Sequence, residues 1–220
     1  MGKKNTIRII NLRGTAVTER GIARIARHMW RLTKIVLGNS GTIQRVDLRP
    51  FKGLRSISPN FLANCANLRL LNMSCLTRLK TIGPFTLVRC SALKSVNLSG
   101  LERLESVGDY FMAWCTSFES FDATHLKALK KVGHWVLCRC SNLKFADLSG
   151  LENLKSVGNG FMAWCPSLES FDATHLKALK TVGHSFLAGG CYNLKSADRQ
   201  AVSAWRSLGP ITYCRDDEEE

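Results

Sequence analysis

The residues of this chain that could do chemistry are five histidines, nine cysteines and seventeen Asp or Glu. Asp122, Thr124 and His125 place an acid, a hydroxyl and a base within one short stretch, and Asp172, Thr174 and His175 repeat the set. Those are the residue types of a proton relay serving a nucleophile. Their spacing defeats the reading, because neighbouring residues of an extended segment point to opposite faces and do not converge on one reacting atom. Cys138-x-Cys140 has the look of half a zinc site, but no second pair follows at ligand spacing. There is also no glycine-rich phosphate loop, no zinc-protease helix motif and no nucleophile elbow. No catalytic residue, metal or cofactor is expected.

What the residues do form is columns. From Phe51 to about Arg199 the chain consists of six copies of one 25-residue unit, and ESFDATHLKALK occurs identically at 119–130 and 169–180. Apolar residues open each copy (Phe51, Leu76, Leu101, Leu126, Leu151, Leu176), and a second apolar column lies three residues on. A third, Ile57 to Val182, precedes a glycine in five copies. A cysteine column follows: Cys65, Cys90, Cys115, Cys140, Cys165 and Cys191. Each unit closes on a strand-like alternation such as LKSVNL at 93–98, with Leu93, Val96 and Leu98 inward and Lys94, Ser95 and Asn97 outward. A repeat of this length predicts a solenoid, in which each coil buries its apolar edge only against its neighbours. His125 and His175, like His134 and His184, then lie two coils apart, about 10 Å by the strand spacing, too far to share a metal. The column cysteines are expected to act as small buried hydrophobes.

The pattern [IV]-G-x-x-F-x-x-x-C-x-x-L-x-x-[VF]-[ND]-L resembles the leucine-rich repeat superfamily in its BspA-type form, and more loosely the leucine-rich repeat proteins of trypanosomatid protists. The resemblance implies an α/β leucine-rich-repeat solenoid: a curved parallel β-sheet of about 25-residue coils with short helical turns on the convex side. Residues 1–50 are similar to the helix-containing repeats of the cysteine-containing and ribonuclease-inhibitor types. They read as strand (Ile7–Leu12), helix (about Thr18–Trp30, capped by Thr18) and strand (Thr33–Leu37). The whole of 1–214 is thus expected to be one solenoid, with six repeats over 51–199, a cap over 200–214 and an acidic tail at 215–220.

The formal net charge of +14 is uneven. Arg20, Arg24, Arg27 and Arg31 fall on one side of the expected N-terminal helix, a stripe suited to RNA phosphates or an anionic surface. Along the strands, Arg69, Lys94, Glu119, Lys144, Glu169 and Lys195 alternate in sign, which would let neighbouring coils pair. The next outward row, Asp47, Asn72, Asn97, Asp122, Asp147, Asp172 and Asp198, gathers four consecutive acids from Asp122 on that repel at about 1 kcal/mol per neighbouring pair in water. Two readings stand for that row: an acidic strip for a basic partner, or carboxylates satisfied by the adjoining hydroxyls and backbone donors. Arg89, Trp114, Arg139 and Trp164 alternate before the column cysteine, where guanidinium can stack on indole.

Solenoids generate surface, so the expected function is a protein–protein interaction scaffold. Its concave face would use Asp122, Asp147, Asp172 and Asp198 with Lys94, Glu119, Lys144 and Glu169. The alternatives are an RNA- or ribonucleoprotein-associated protein using the arginine helix, and the substrate-recognition part of a ubiquitin ligase, implied by the N-terminal resemblance. MGKKNTIRII lacks the apolar core of a secretory leader, and no apolar run reaches the roughly 20 residues of a membrane span. A soluble, cytoplasmic, monomeric protein is expected. Gly2 and Thr6 fit the loose myristoylation pattern, with Lys3 unfavourable beside the acceptor glycine.

Overall fold

The computed structural model describes residues 9–11, 21, 34–36, 38–39, 41–172, 174–189, 191 and 193–194. The arginines of the expected N-terminal helix, Asp198, Lys195, Gly2, the 200–214 cap and the acidic tail lie outside them.

The described chain winds as a parallel-strand solenoid with two strand columns. The first contains β3 (Arg45–Val46), β5 (Leu70–Asn72), β7 (Ser95–Asn97), β9 (Ser120–Asp122), β11 (Phe145–Asp147) and β13 (Ser170–Asp172). The second contains β4 (Ser56–Ile57), β6 (Thr81–Ile82), β8 (Ser106–Val107), β10 (Lys131–Val132), β12 (Ser156–Val157) and β14 (Thr181–Val182). The second column is one six-stranded sheet, whereas the first splits into two three-stranded ladders between β7 and β9. Every pairing is parallel and shifted by one 25-residue coil, as in Ala146↔Phe171 and Val132↔Val157. Ahead of the coils, β1 (Ile9–Asn11) pairs with β2 (Lys34–Val36), inside the two stretches read as strands. Gly38 then bridges to Ala63, which joins this unit to the first coil.

Between the two columns each coil turns a third corner, the segment that ends at the cysteine. A short helical turn was expected there. The structure instead sets a left-handed residue at every second position, with positive φ at Phe85, Leu87 and Arg89, at Tyr110, Met112 and Trp114, and at their equivalents. The physical reason is spacing. Coils about 4.8 Å apart have no room for helices, whose axes need 8–10 Å. The left-handed residues, each costing on the order of 1 kcal/mol, aim their N–H groups at the neighbouring coils. Phe85 N donates to Asp109 O at 2.7 Å, Leu87 N to Phe61 O at 2.9 Å and Arg89 N to Ala113 O at 2.8 Å. Bonds worth about 1 kcal/mol each, with the alternative of leaving the donors unpaired, offset the strain.

The interior is continuous: Leu101, Leu104, Val107, Phe111, Met112, Cys115, Phe118 and Phe121 of one coil are all buried and stack on their equivalents above and below. A cavity of about 20 Å³ lies between Val107, Phe121, Leu129 and Val132, among others. The glycine column exists for close approach. A Cβ on Gly158 would lie 2.6 Å from the Gly133 backbone, and one on Gly83 2.6 Å from Pro59 N. In the first coil the equivalent residue is Ser58, buried with its hydroxyl unpartnered. Among the described residues no helix is long and apolar enough to cross a membrane.

Candidate functional site

The first column turns its middle residue inward and its flanking residues outward, so rows of outward side chains run from coil to coil. Asp122, Asp147 and Asp172 stand in register, as do Asn72 and Asn97. The second of the two readings for this row has its donors in place. Oδ1 of Asp122, Asp147 and Asp172 accepts the backbone N–H of Thr124, Ser149 and Thr174, each at 2.9 Å. The hydroxyls of Thr124 and Thr174 donate to the same oxygens at 2.7 Å. Asn72 and Asn97 make the same turn with Ser74 and Ser99, also at 2.9 Å. Bonds from Thr174 hold the Asp172 carboxyl below the usual range. At the start of the column the Arg49 guanidinium does the same for Asp47, 3.0 Å away. The acids remain exposed while performing this turn. Thr124 and His125 do not form a relay with Asp122, since the hydroxyl is spent inside the turn.

The sign-alternating row is also in register: Lys94 N donates to Arg69 O, Lys144 N to Glu119 O and Glu169 N to Lys144 O, each at 2.9 Å. Its exposed side chains nonetheless form no ion pair among the described residues. Inter-coil lysine–carboxylate pairs form on another row, where Glu105 holds Lys80 at 2.7 Å and Lys130 at 3.4 Å. Surface pairs are worth about 0–1 kcal/mol, too little to enforce one geometry over another.

Phe145 was not singled out from the sequence. It stands 49% exposed in the outward row between Ser120 and Ser170, and Leu70 of the same row is 42% exposed. Strand parity carries the signal: with Ala146 inward, Phe145 must face out, the reverse of Phe121 and Phe171.

On the third corner the Arg–Trp alternation is a staple. Arg89 Cζ lies 5.5 Å from the Trp114 ring centroid and Arg139 Cζ 4.9 Å from Trp164. Phe85 stacks on Tyr110 at 5.1 Å and Trp135 on Trp164 at 5.6 Å.

Several of the remaining candidates for chemistry have structural partners. The thiols of Cys90, Cys115, Cys140 and Cys165 donate to carbonyls of the preceding coil at 3.1–3.2 Å. Burial pushes these thiols far up, and raises the Cys138 thiol to about 11. His134 Nδ1 accepts the Asn159 N–H at 3.0 Å, and Asn159 Oδ1 accepts the His184 N–H at 3.0 Å. Among the described residues no three His, Cys, Asp or Glu side chains gather as a metal site would require.

A family model agrees with this architecture. The family model for the BspA type leucine rich repeat region matches residues 55–195 in six copies. Among solved structures, the T. pallidum leucine-rich repeat protein is 17% identical, with 83% of this chain and 86% of that one covered and a TM-score of 0.47. The leucine-rich repeat domain of the type III effector XopL is 17% identical over 96% and 78% of the two chains, with a TM-score of 0.45. Internalin C2 of Listeria monocytogenes is 20% identical over 80% of each chain, with a TM-score of 0.34. No curated protein matches the chain. With six matched copies spanning well over half its length, the chain belongs to the BspA-type leucine-rich repeat family.

Proposed function

We propose that this chain is a non-enzymatic interaction scaffold whose first strand column docks a cationic segment of a partner protein around Phe145. The observation that carries the reading is Phe145 itself: a large apolar ring 49% exposed on a regular strand, flanked by two serines that leave it standing clear. Aromatic residues of this kind anchor protein interfaces, ringed by polar groups that exclude water. Asp122, Asp147 and Asp172 supply an acidic edge, while Lys94, Glu119, Lys144 and Glu169 supply a mixed polar rim. Cys75, Cys90, Cys115, Cys138, Cys140 and Cys165 are free thiols, which suits a reducing compartment such as the cytoplasm.

The test uses substitutions the repeat already accepts. Phe145→Ser installs the residue found at its row neighbours, and Asp122→Asn/Asp147→Asn/Asp172→Asn installs the one found at Asn72 and Asn97. Affinity capture from a lysate followed by mass spectrometry should lose the same partner with both variants while melting curves stay unchanged. Recovery of every partner by both removes this face from the binding account.

A further inference from the structure

Six short segments lead into the second strand column: residues 52–56, 77–81, 102–106, 127–131, 152–156 and 177–181. Together they carry eleven Lys or Arg against three Glu. One row within them, Arg55, Lys80, Glu105, Lys130, Lys155 and Lys180, is strung on successive backbone bonds of 2.8–2.9 Å, each N–H donating to the row residue of the preceding coil. The side chains are therefore one coil apart, about 4.8 Å. Glu105, the row's one acid, holds Lys80 and Lys130. Beyond it Lys155 and Lys180 continue with Lys131 alongside, exposed and without an acidic partner among the described residues.

The aspartates of the first column close a turn of their own coil, but the ammonium groups of Lys131, Lys155 and Lys180 bond to nothing in the described fold. Like charges at this spacing repel, and no local bond offsets the repulsion. A linear polyanion would. Ammonium groups are point-charge binders of phosphate, and on their flexible stems a row of them can follow a phosphate backbone. A lipid surface fits less well, because surface docking also buries apolar side chains. Among the described residues the exposed large apolar ones, Leu70, Phe85, Phe145 and Trp164, all lie off these segments. Single strands fit less well too, since their binders offer free ring faces to bases. Here the rings of the third corner cover one another: Phe85 on Tyr110 at 5.1 Å and Trp135 on Trp164 at 5.6 Å, with guanidinium groups over Trp114 and Trp164.

We propose that the lysine row beside the second column is a docking strip for the phosphate backbone of a double-stranded nucleic acid, bound without regard to sequence. The strip is distinct from the Phe145 face. The test is fluorescence anisotropy of the full chain with a short mixed-sequence DNA duplex across a salt series. Lys155→Glu/Lys180→Glu places in the row the residue that Glu105 already shows to be accepted there. It should weaken binding about tenfold or more and flatten the slope of log K against log salt by about 1.8, or 0.9 per lost phosphate contact. Arg45→Glu/Arg69→Glu makes the same charge change on the first column and should leave affinity within about twofold. Glu105→Gln frees Lys80 and Lys130 and should tighten binding about threefold. Circular dichroism and melting verify that each variant folds. The proposal is overturned if the row variant binds like wild type or if both double variants lose affinity equally. It is also overturned if phosphatidylserine-containing vesicles, and not the duplex, bind in a manner dependent on Lys155 and Lys180.

Discussion

The two strand columns come from the same repeat and the same one-coil register, yet they solve the problem of stacked charge in different ways. Over the described segments 69–72, 94–97, 119–122, 144–147 and 169–172 the first column carries three Lys or Arg against five Asp or Glu. The segments leading into the second column are strongly basic. In the first column the charged group has a local task, because Asp Oδ1 closes a turn that Asn72 and Asn97 close equally well. The oxygen is what the fold requires; the charge is extra. In the second column, among the described residues, only Glu105 ties lysines to a neighbouring coil. Charge on either face is thus separable from architecture, and that separation makes surface variants informative about binding.

The largest expected effect tests whether the backbone beside the second column is as tightly stacked as described. Gly158→Ala brings a Cβ to 2.6 Å from the Gly133 backbone and should cost about 1–3 kcal/mol in denaturant unfolding. Ser170→Ala on the outward row of the first column should stay within about 0.5 kcal/mol. Next comes the turn itself. Asp147→Ala should cost about 1 kcal/mol, whereas Asp147→Asn should melt with the wild type; equal losses would mean that the charge, not the oxygen, is what matters. Ser58→Ala removes a buried hydroxyl without a partner and should stabilise the first coil by about 0.5–1 kcal/mol. The smallest effect concerns acid. The Asp172 and Asp47 carboxyls are held below their ordinary range, so their contribution is complete above the unfolded value of about 3.9 and fades as pH falls through the folded one. Asp172→Asn should therefore slightly flatten the acid limb of the stability profile, measured by urea titration at successive pH values.

Much of this architecture was legible in the residues. The 25-residue period named the solenoid, the cysteine column proved to be a buried row, and the Arg–Trp alternation found its stacking partners because coil neighbours are sequence-equivalent. What escaped was anything decided by the dimensions of the third corner. FMAWC suggests a helical turn, yet coil spacing selects alternating handedness, and no propensity scale contains that constraint. The exposure of Phe145 escaped because a column average hides one coil in which inward and outward residues exchange size. The ion pairs at Glu105 escaped because long exposed side chains choose partners by small margins.

The Arg–Trp staple also sets the step by which such a chain can change length. Excising residues 101–150, two windings at once, would bring Arg89 against Trp164 and restore the cation-over-indole contact seen at Trp114. Excising 101–125 alone would set Arg89 against Arg139, guanidinium on guanidinium. The staple therefore favours, by about 0.5–1 kcal/mol per contact, gain or loss of the doublet of fifty residues, the same span by which 101–150 and 151–200 echo each other.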